Sequence, residues 1–354
     1  MKNKRVDVHQ QCKPKRVFTL DTIRGYVLFF MAFANLYYAI SFRQIWVFSH
    51  DNQTMAPADL IAIFFFIMIG FNLALIQKYK QITGIQLLRY AWKRAFMIIG
   101  IGVLLVSYSI AIFGSDYSVF FRSVLVILGL SLLLTSTLVY LFANQIKYWP
   151  YLFLILSILY GVLNQNPTGN YRFLSVAFLL TSVLGYIAGV YYTLNYPKFF
   201  KFMQLIAGIS FLLAALHYLS FKTVPTRLTI NAPYIYLCWG FWFLLLGALL
   251  HFYRNKDTSK TNSPLKSIQK YLNLSGAYPL SFWILHSFVV ALFVMGTTFY
   301  KYWKDNMLNY YLQMPAMTRN MENEIVAIFL ALAGAILCTS LHLVFIRFYR
   351  KRTG

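Results

Sequence analysis

Residues 57–77, PADLIAIFFFIMIGFNLALIQ, decide the fold class, because no charge falls between Asp59 and Lys78. At about 1.5 Å per residue a helix of that length spans the roughly 30 Å hydrocarbon core of a bilayer. Comparable apolar runs bounded by polar clusters fall at 17–42, 92–114, 117–143, 149–165, 172–193, 202–221, 232–253, 275–299 and 324–346. Closed β-barrels also satisfy the backbone in lipid, but they need short alternating segments, and these runs are long and continuously apolar. The prediction is an all-α, polytopic integral membrane bundle of about ten transmembrane helices. Composition agrees: of 354 residues, 59% are apolar and 12% charged, against about 25% charged in soluble domains. The mean hydropathy is +0.59. An ordinary soluble domain is excluded.

The net charge of +23, from 32 Lys and Arg against 9 Asp and Glu, would suggest nucleic-acid binding in a soluble protein. Here its distribution carries the information, and no nucleic-acid partner is expected. With the N-terminus in the cytoplasm, ten spans put 23 Lys and Arg on the inner side and 8 on the outer, with Arg24 inside the first span. By the positive-inside rule both termini are cytoplasmic. The organisation expected is a basic tail (1–16), one membrane domain (17–349) with an internal cytoplasmic linker (254–274), and a basic C-terminal tail (350–354). The tail resembles a leader, but the run after it holds Asp21 and Arg24 and no small-residue cleavage site, so it reads as a retained span. Trp46, Trp92, Trp149 and Trp303 near span ends suit interfacial anchoring. Cys12, Cys238 and Cys338 are scattered and make no disulfide or zinc framework, and no metal site is predicted. No Gly-rich phosphate loop, HExxH or GxSxG occurs. The expected surroundings are the lipid bilayer of the cell membrane, and a homodimer stays open.

Ionisable groups within spans are costly, so each is a functional candidate whose partner should be named. Asp21 and Arg24 are three apart on one helical face, close enough to pair. A structural ion pair and a role for Arg24 toward a phosphorylated cytosolic ligand weigh equally. Asn35 follows Arg24 by eleven residues, three turns, and falls on the same face. Intramembrane Asn most often makes an interhelical hydrogen bond. The loop SFRQIWVFSHDNQTMAPADL, 41–60, clusters His50, Asp51 and Asn52, and Asp59 after Pro57 also suits an N-cap. On spacing alone, His50 is a solvated loop histidine. His217, His286 and His342 lie within spans; His286 has Tyr278, Ser281 and Ser287 near it along the helix and ranks after His50.

The stretch Arg16–Gly70 resembles the heparan-α-glucosaminide N-acetyltransferase family of transmembrane acyltransferases and its bacterial relatives. RVFTLDTIRG carries Asp21 and Arg24-Gly25, FFMAFAN ends at Asn35, a His-bearing loop ends at His50, and PADLIAIFFFIMIG runs from Pro57 to Gly70. Weaker likeness continues through LLRYAWKRAFMIIGIGVLL, RSVLVILGLSLLL and the late segment SGAYPLSFWILHSF with His286. The chain departs from the family pattern where DNQTMAPAD lacks a Trp and a Gly, where Ile63 replaces Pro, and where Val126 replaces Gln. The resemblance implies transfer of an acetyl or other acyl group from cytosolic acetyl-CoA (acyl-CoA) to a sugar or glycan acceptor on the outer face, in the manner of cell-envelope glycan modification. It implies His50 as base or acyl carrier, with Asp51 or Asp59 orienting the ring. Asn35 would donate to the developing oxyanion, and Arg24, Lys93 and Arg94 would meet the donor's phosphates. A transporter or flippase for a small polar solute or glycolipid, and a non-catalytic member of the same fold, are the rival readings.

Overall fold

A computed structural model describes residues 18–40, 60–113, 123–142, 145, 148–163, 174–194, 196–222, 231–254, 264–290 and 316–353. Its elements are α1 (Phe18–Ile40), α2 (Leu60–Lys80), α3 (Gly84–Phe113), α4 (Val124–Leu141), α5 (Trp149–Leu163), α6 (Leu174–Leu194), α7 (Tyr196–Phe221), α8 (Ala232–Arg254), α9 (Pro264–Gly276), α10 (described over Pro279–Val290) and α11 (Ala316–Thr353). Among the described residues all are helices, as the long apolar runs require. Seven of them, α2, α3, α4, α6, α7, α8 and α11, are long and apolar enough to cross a membrane. The ten expected runs all correspond to helices, but α5 and α10 are shorter over their described lengths, and Asp21, Arg24 and Asn35 make α1 less apolar.

One polar connection is more ordered than its composition suggests. Within the expected linker 254–274, α9 forms from Pro264 onward. Proline suits the first helical position, and Leu265, Ile268 and Leu272 recur at helical spacing to make one apolar stripe. Local polarity hid this helix, because an amphipathic segment averages to a mean near zero. The expected ninth span, 275–299, begins with a break at Ala277–Tyr278 between α9 and α10. Pro279 lacks an N–H and disfavours helical geometry in the residue before it, which accounts for the interruption.

The most extensive helix pairs are α2 with α6, α3 with α4, α7 with α8, and α1 with α9 and α11. Helix α2 is the central strut, also meeting α4 and α8, with Phe64, Phe66, Ile67 and Phe71 buried. Lipid tails are as apolar as these side chains, so close packing rather than hydrophobic exclusion must hold the helices together. Glycines provide it at two crossings. A Cβ on Gly70 would lie 1.7 Å from the Ser182 carbonyl oxygen, and one on Gly185 would lie 2.0 Å from that of Ile67. A Cβ on Gly25 would lie 1.9 Å from the Leu272 oxygen, and one on Gly276 1.8 Å from the Asp21 oxygen. Backbone therefore rests directly on backbone where α2 meets α6 and where α1 meets α9. Outward side chains such as Leu104, Phe96, Phe329 and Phe345 are exposed and suit lipid contact.

Candidate functional site: a cavity beside Arg24

The α1–α9 crossing sets Arg24, paired with Asp21, at the edge of a cavity. One Arg24 Nη donates to Asp21 Oδ1 at 2.5 Å, and the other donates to Asn72 Oδ1 of α2 at 2.5 Å. Asp21 is buried, and a buried carboxylate needs such a partner. Both charges are compensated within one turn, and the guanidinium is aimed at α2.

The cavity has a volume of about 510 Å³ and lies between α2, α3, α4, the α9–α10 junction and Arg24. Its walls are mainly apolar, including Met68, Leu73, Leu128 and Leu280. The lining of α2 runs from Phe65 to Ile76, eleven steps along the chain, or roughly 16 Å of helix. Polar groups enter at a few points: Arg24, Asn72, Tyr90, Arg94, Tyr278 and Ser281. Tyr90 meets two cations, with the Arg94 guanidinium carbon 4.6 Å and the Lys80 ammonium 4.7 Å from its ring centroid. Such contacts hold a cation by the ring quadrupole without neutralising it. The helix break at Ala277–Tyr278 also lines the cavity.

Beyond the cavity lies a second polar pair. Asn35 Nδ2 and His286 Nε2 are 3.4 Å apart, joining α1 to α10. His286 is buried, and its Nδ1 has no hydrogen-bond partner among the described residues. Trp283 lines the cavity and meets Phe65 edge-on at 5.8 Å; it also meets the His286 ring edge-on at 6.3 Å. The indole thus stands between the cavity and the Asn35–His286 pair. Three turns of α1, roughly 16 Å, separate Asn35 from Arg24.

Of the residues singled out from sequence, Arg24 and Arg94 line the cavity, Asp21 pairs with Arg24 from outside the lining, and Lys93 is exposed and outside the lining. Asn35 makes an interhelical contact, and its partner is another candidate, His286. His50, Asp51 and Asp59 lie outside the described residues. His217 contacts the Gly161 carbonyl at 3.2 Å and packs on Phe221, as a core histidine does. Sequence reasoning missed Asn72, although it is the one polar side chain from Leu60 to Ile76 and the same test for intramembrane polarity finds it. The contact between Ser281 and His342 had no sequence signal.

The sequence model described as heparan-alpha-glucosaminide N-acetyltransferase, catalytic, matches residues 16–200. The chain belongs to this heparan-α-glucosaminide N-acetyltransferase family. Membrane acyltransferase chemistry is what that family suggests for it. The matched segment holds Asp21, Arg24, Asn35, Asn72 and Arg94, and hence three of the cavity's walls. The α9–α10 wall and α11 lie beyond the match. No curated protein matches the chain.

Proposed function

We propose that this member of the heparan-α-glucosaminide N-acetyltransferase family is a membrane acyltransferase. It would take an acetyl or other acyl group from cytosolic acyl-CoA and deliver it to a sugar or glycan on the opposite face of the cell membrane. The observation that carries this reading is the cavity: about 510 Å³ of mainly apolar space with guanidinium groups at its margin, in a chain of this family.

Acyl-CoA carries several phosphate charges and does not cross lipid. Arg24, Arg94 and Lys80 are the nearby cations suited to those phosphates, and planar guanidinium groups bind phosphate bidentately. The pantetheine arm is thin and mixed in polarity, which fits walls of Met, Leu and Phe interrupted by Asn72, Tyr90 and Ser281. Attack on the thioester needs a group to take the acceptor's proton, and an imidazole contributes about 10²–10⁴-fold in that role. His50 is the family-matched candidate, as base or acyl carrier. Asn35 is suited to stabilise an oxyanion, for which one such donor supplies about 3 kcal/mol.

The test uses the full chain in nanodiscs. Saturable acetyl-CoA binding, with thiol release that depends on an added amine- or hydroxyl-bearing sugar, is the expected result. Absence of binding at millimolar donor rejects the reading. Wild-type turnover by His50→Ala would leave the acyltransferase reading standing and remove His50 from it.

A further inference from the structure

A serine of the cavity wall touches a buried histidine of α11 that lies behind that wall. Ser281 lines the cavity from the first turn of α10, and its Oγ lies 2.6 Å from Nε2 of His342 on α11. That separation is within the range expected of a serine activated by an adjacent imidazole. The serine hydroxyl has a second neighbour, the Tyr278 carbonyl at 2.9 Å, to which it donates in the alternative orientation. One proton therefore chooses between the backbone oxygen and the imidazole. Serines on helices commonly satisfy themselves on a preceding carbonyl, and that alone gives Ser281 no need of His342. The imidazole brings a cost of its own, since it is wholly buried and its Nδ1 has no hydrogen-bond partner among the described residues. The Phe282 ring packs perpendicular to it at 5.3 Å.

We infer that Ser281 and His342 form a nucleophile–base pair that takes the acyl group from a thioester in the cavity and holds it as an ester. The inference rests on the proposed acyl-CoA reading and specifies its first chemical step, with Ser281 in place of His50 as the acyl carrier and His342 as the base. In the tautomer protonated at Nδ1, Nε2 accepts the Ser281 proton as Oγ attacks the thioester carbonyl carbon. The carbon–sulfur bond then breaks, and Nε2 returns the proton to the departing thiolate. The products are acyl-Ser281 and free CoA thiol. In the second half, the acceptor's hydroxyl or amine attacks the ester carbonyl, its proton passes to Nε2, and the carbon–Oγ bond breaks with that proton returned to Oγ. Ser281 suits such a relay because it lies five residues, about 8 Å along the helix, before His286, between the cationic margin and the Asn35 level.

The experiment mixes the full chain in nanodiscs with acetyl-CoA and no acceptor, and reads thiol release together with the mass of the peptide bearing Ser281. The expected result is a burst of about one thiol per chain and an acetyl adduct on Ser281. Ser281→Ala should lose both, and His342→Gln should slow the burst by about 100-fold. Ser281→Cys should form an adduct that neutral hydroxylamine removes, unlike the wild-type oxygen ester; it also decides the matter if the alanine variant does not fold. A burst from Ser281→Ala equal to wild type, or thiol release only when acceptor is added and with no adduct, overturns this step and leaves the acyltransferase reading intact. No acetyl-CoA binding by the wild type overturns both.

Discussion

Arg24 is the residue on which α1, α2 and the cavity meet. Its guanidinium is shared between Asp21 and Asn72 while also lining the chamber. Arg24→Gln keeps a hydrogen-bonding group for Asn72 but loses the charge. A hydrogen bond to a charged group contributes about 1.5–3 kcal/mol, so acetyl-CoA should bind roughly 10- to 100-fold more weakly, read by calorimetry. The same change also breaks the Asp21–Arg24 ion pair. Lys93→Gln is the control: Lys93 is exposed and outside the lining, so its effect on affinity should stay within about a factor of 5, the range of a surface charge. Asn35→Ala removes the described contact to His286 and should lower turnover by about 100-fold, the scale of a lost oxyanion donor, with acetyl-CoA affinity unchanged. A parallel loss of affinity would show that Asn35 acts through cavity shape instead. Asp21, Arg24 and Asn35 were legible as candidates because lipid makes any ionisable or amide group conspicuous. The Asp21–Arg24 pair was legible too, from its spacing of three, but Asn72 and His286 were not legible as partners of Arg24 and Asn35, since they lie 48 and 251 positions away in the chain.

At the scale of the helix pair, the glycine crossings make opposite predictions for chemically identical changes. Gly70→Ala and Gly185→Ala each drive a methyl into carbonyl backbone of the facing helix, which no rotamer change relieves. Overpacking typically costs about 1–3 kcal/mol. Both variants should therefore lower the midpoint of thermal unfolding in detergent, and the double variant should not recover it. Gly100 of α3 and Gly208 of α7 have nothing within 4 Å of where a Cβ would stand. Replacing either by Ala should be neutral or stabilising by up to about 1 kcal/mol, from helix propensity. If all four changes proved alike, direct backbone contact would not be what joins α2 to α6. Helix α9 belongs to this scale too. Its apolar stripe can be read from spacing, but only the contact of Gly276 with α1 shows where that stripe lies.

For the whole molecule, the placement of 23 Lys and Arg against 8 predicts that both chain ends face the cytoplasm. Maleimide labelling of Cys12, with Cys238 and Cys338 buried and silent, should occur in inside-out but not right-side-out vesicles; the reverse pattern would invert the proposed direction of acyl transfer. In proteoliposomes, acetyl-CoA added on the cytoplasmic face should then acylate an acceptor sealed on the other. Labelled product on the donor's own side would show that the cavity does not connect the two faces.

Hydropathy averaged over some 20 residues is a local property, and it was enough to establish a helical membrane protein. A short motif around Asp21 and Arg24 was enough to suggest its family, since both kinds of information are contiguous in the chain. The cavity, the Asn35–His286 contact and the Ser281–His342 contact depend on which helix faces are turned toward one another. In lipid that choice is made by close packing at a few glycines and by pairing of scattered polar groups, and neither leaves a periodic trace in the chain. Only the assembled bundle shows it.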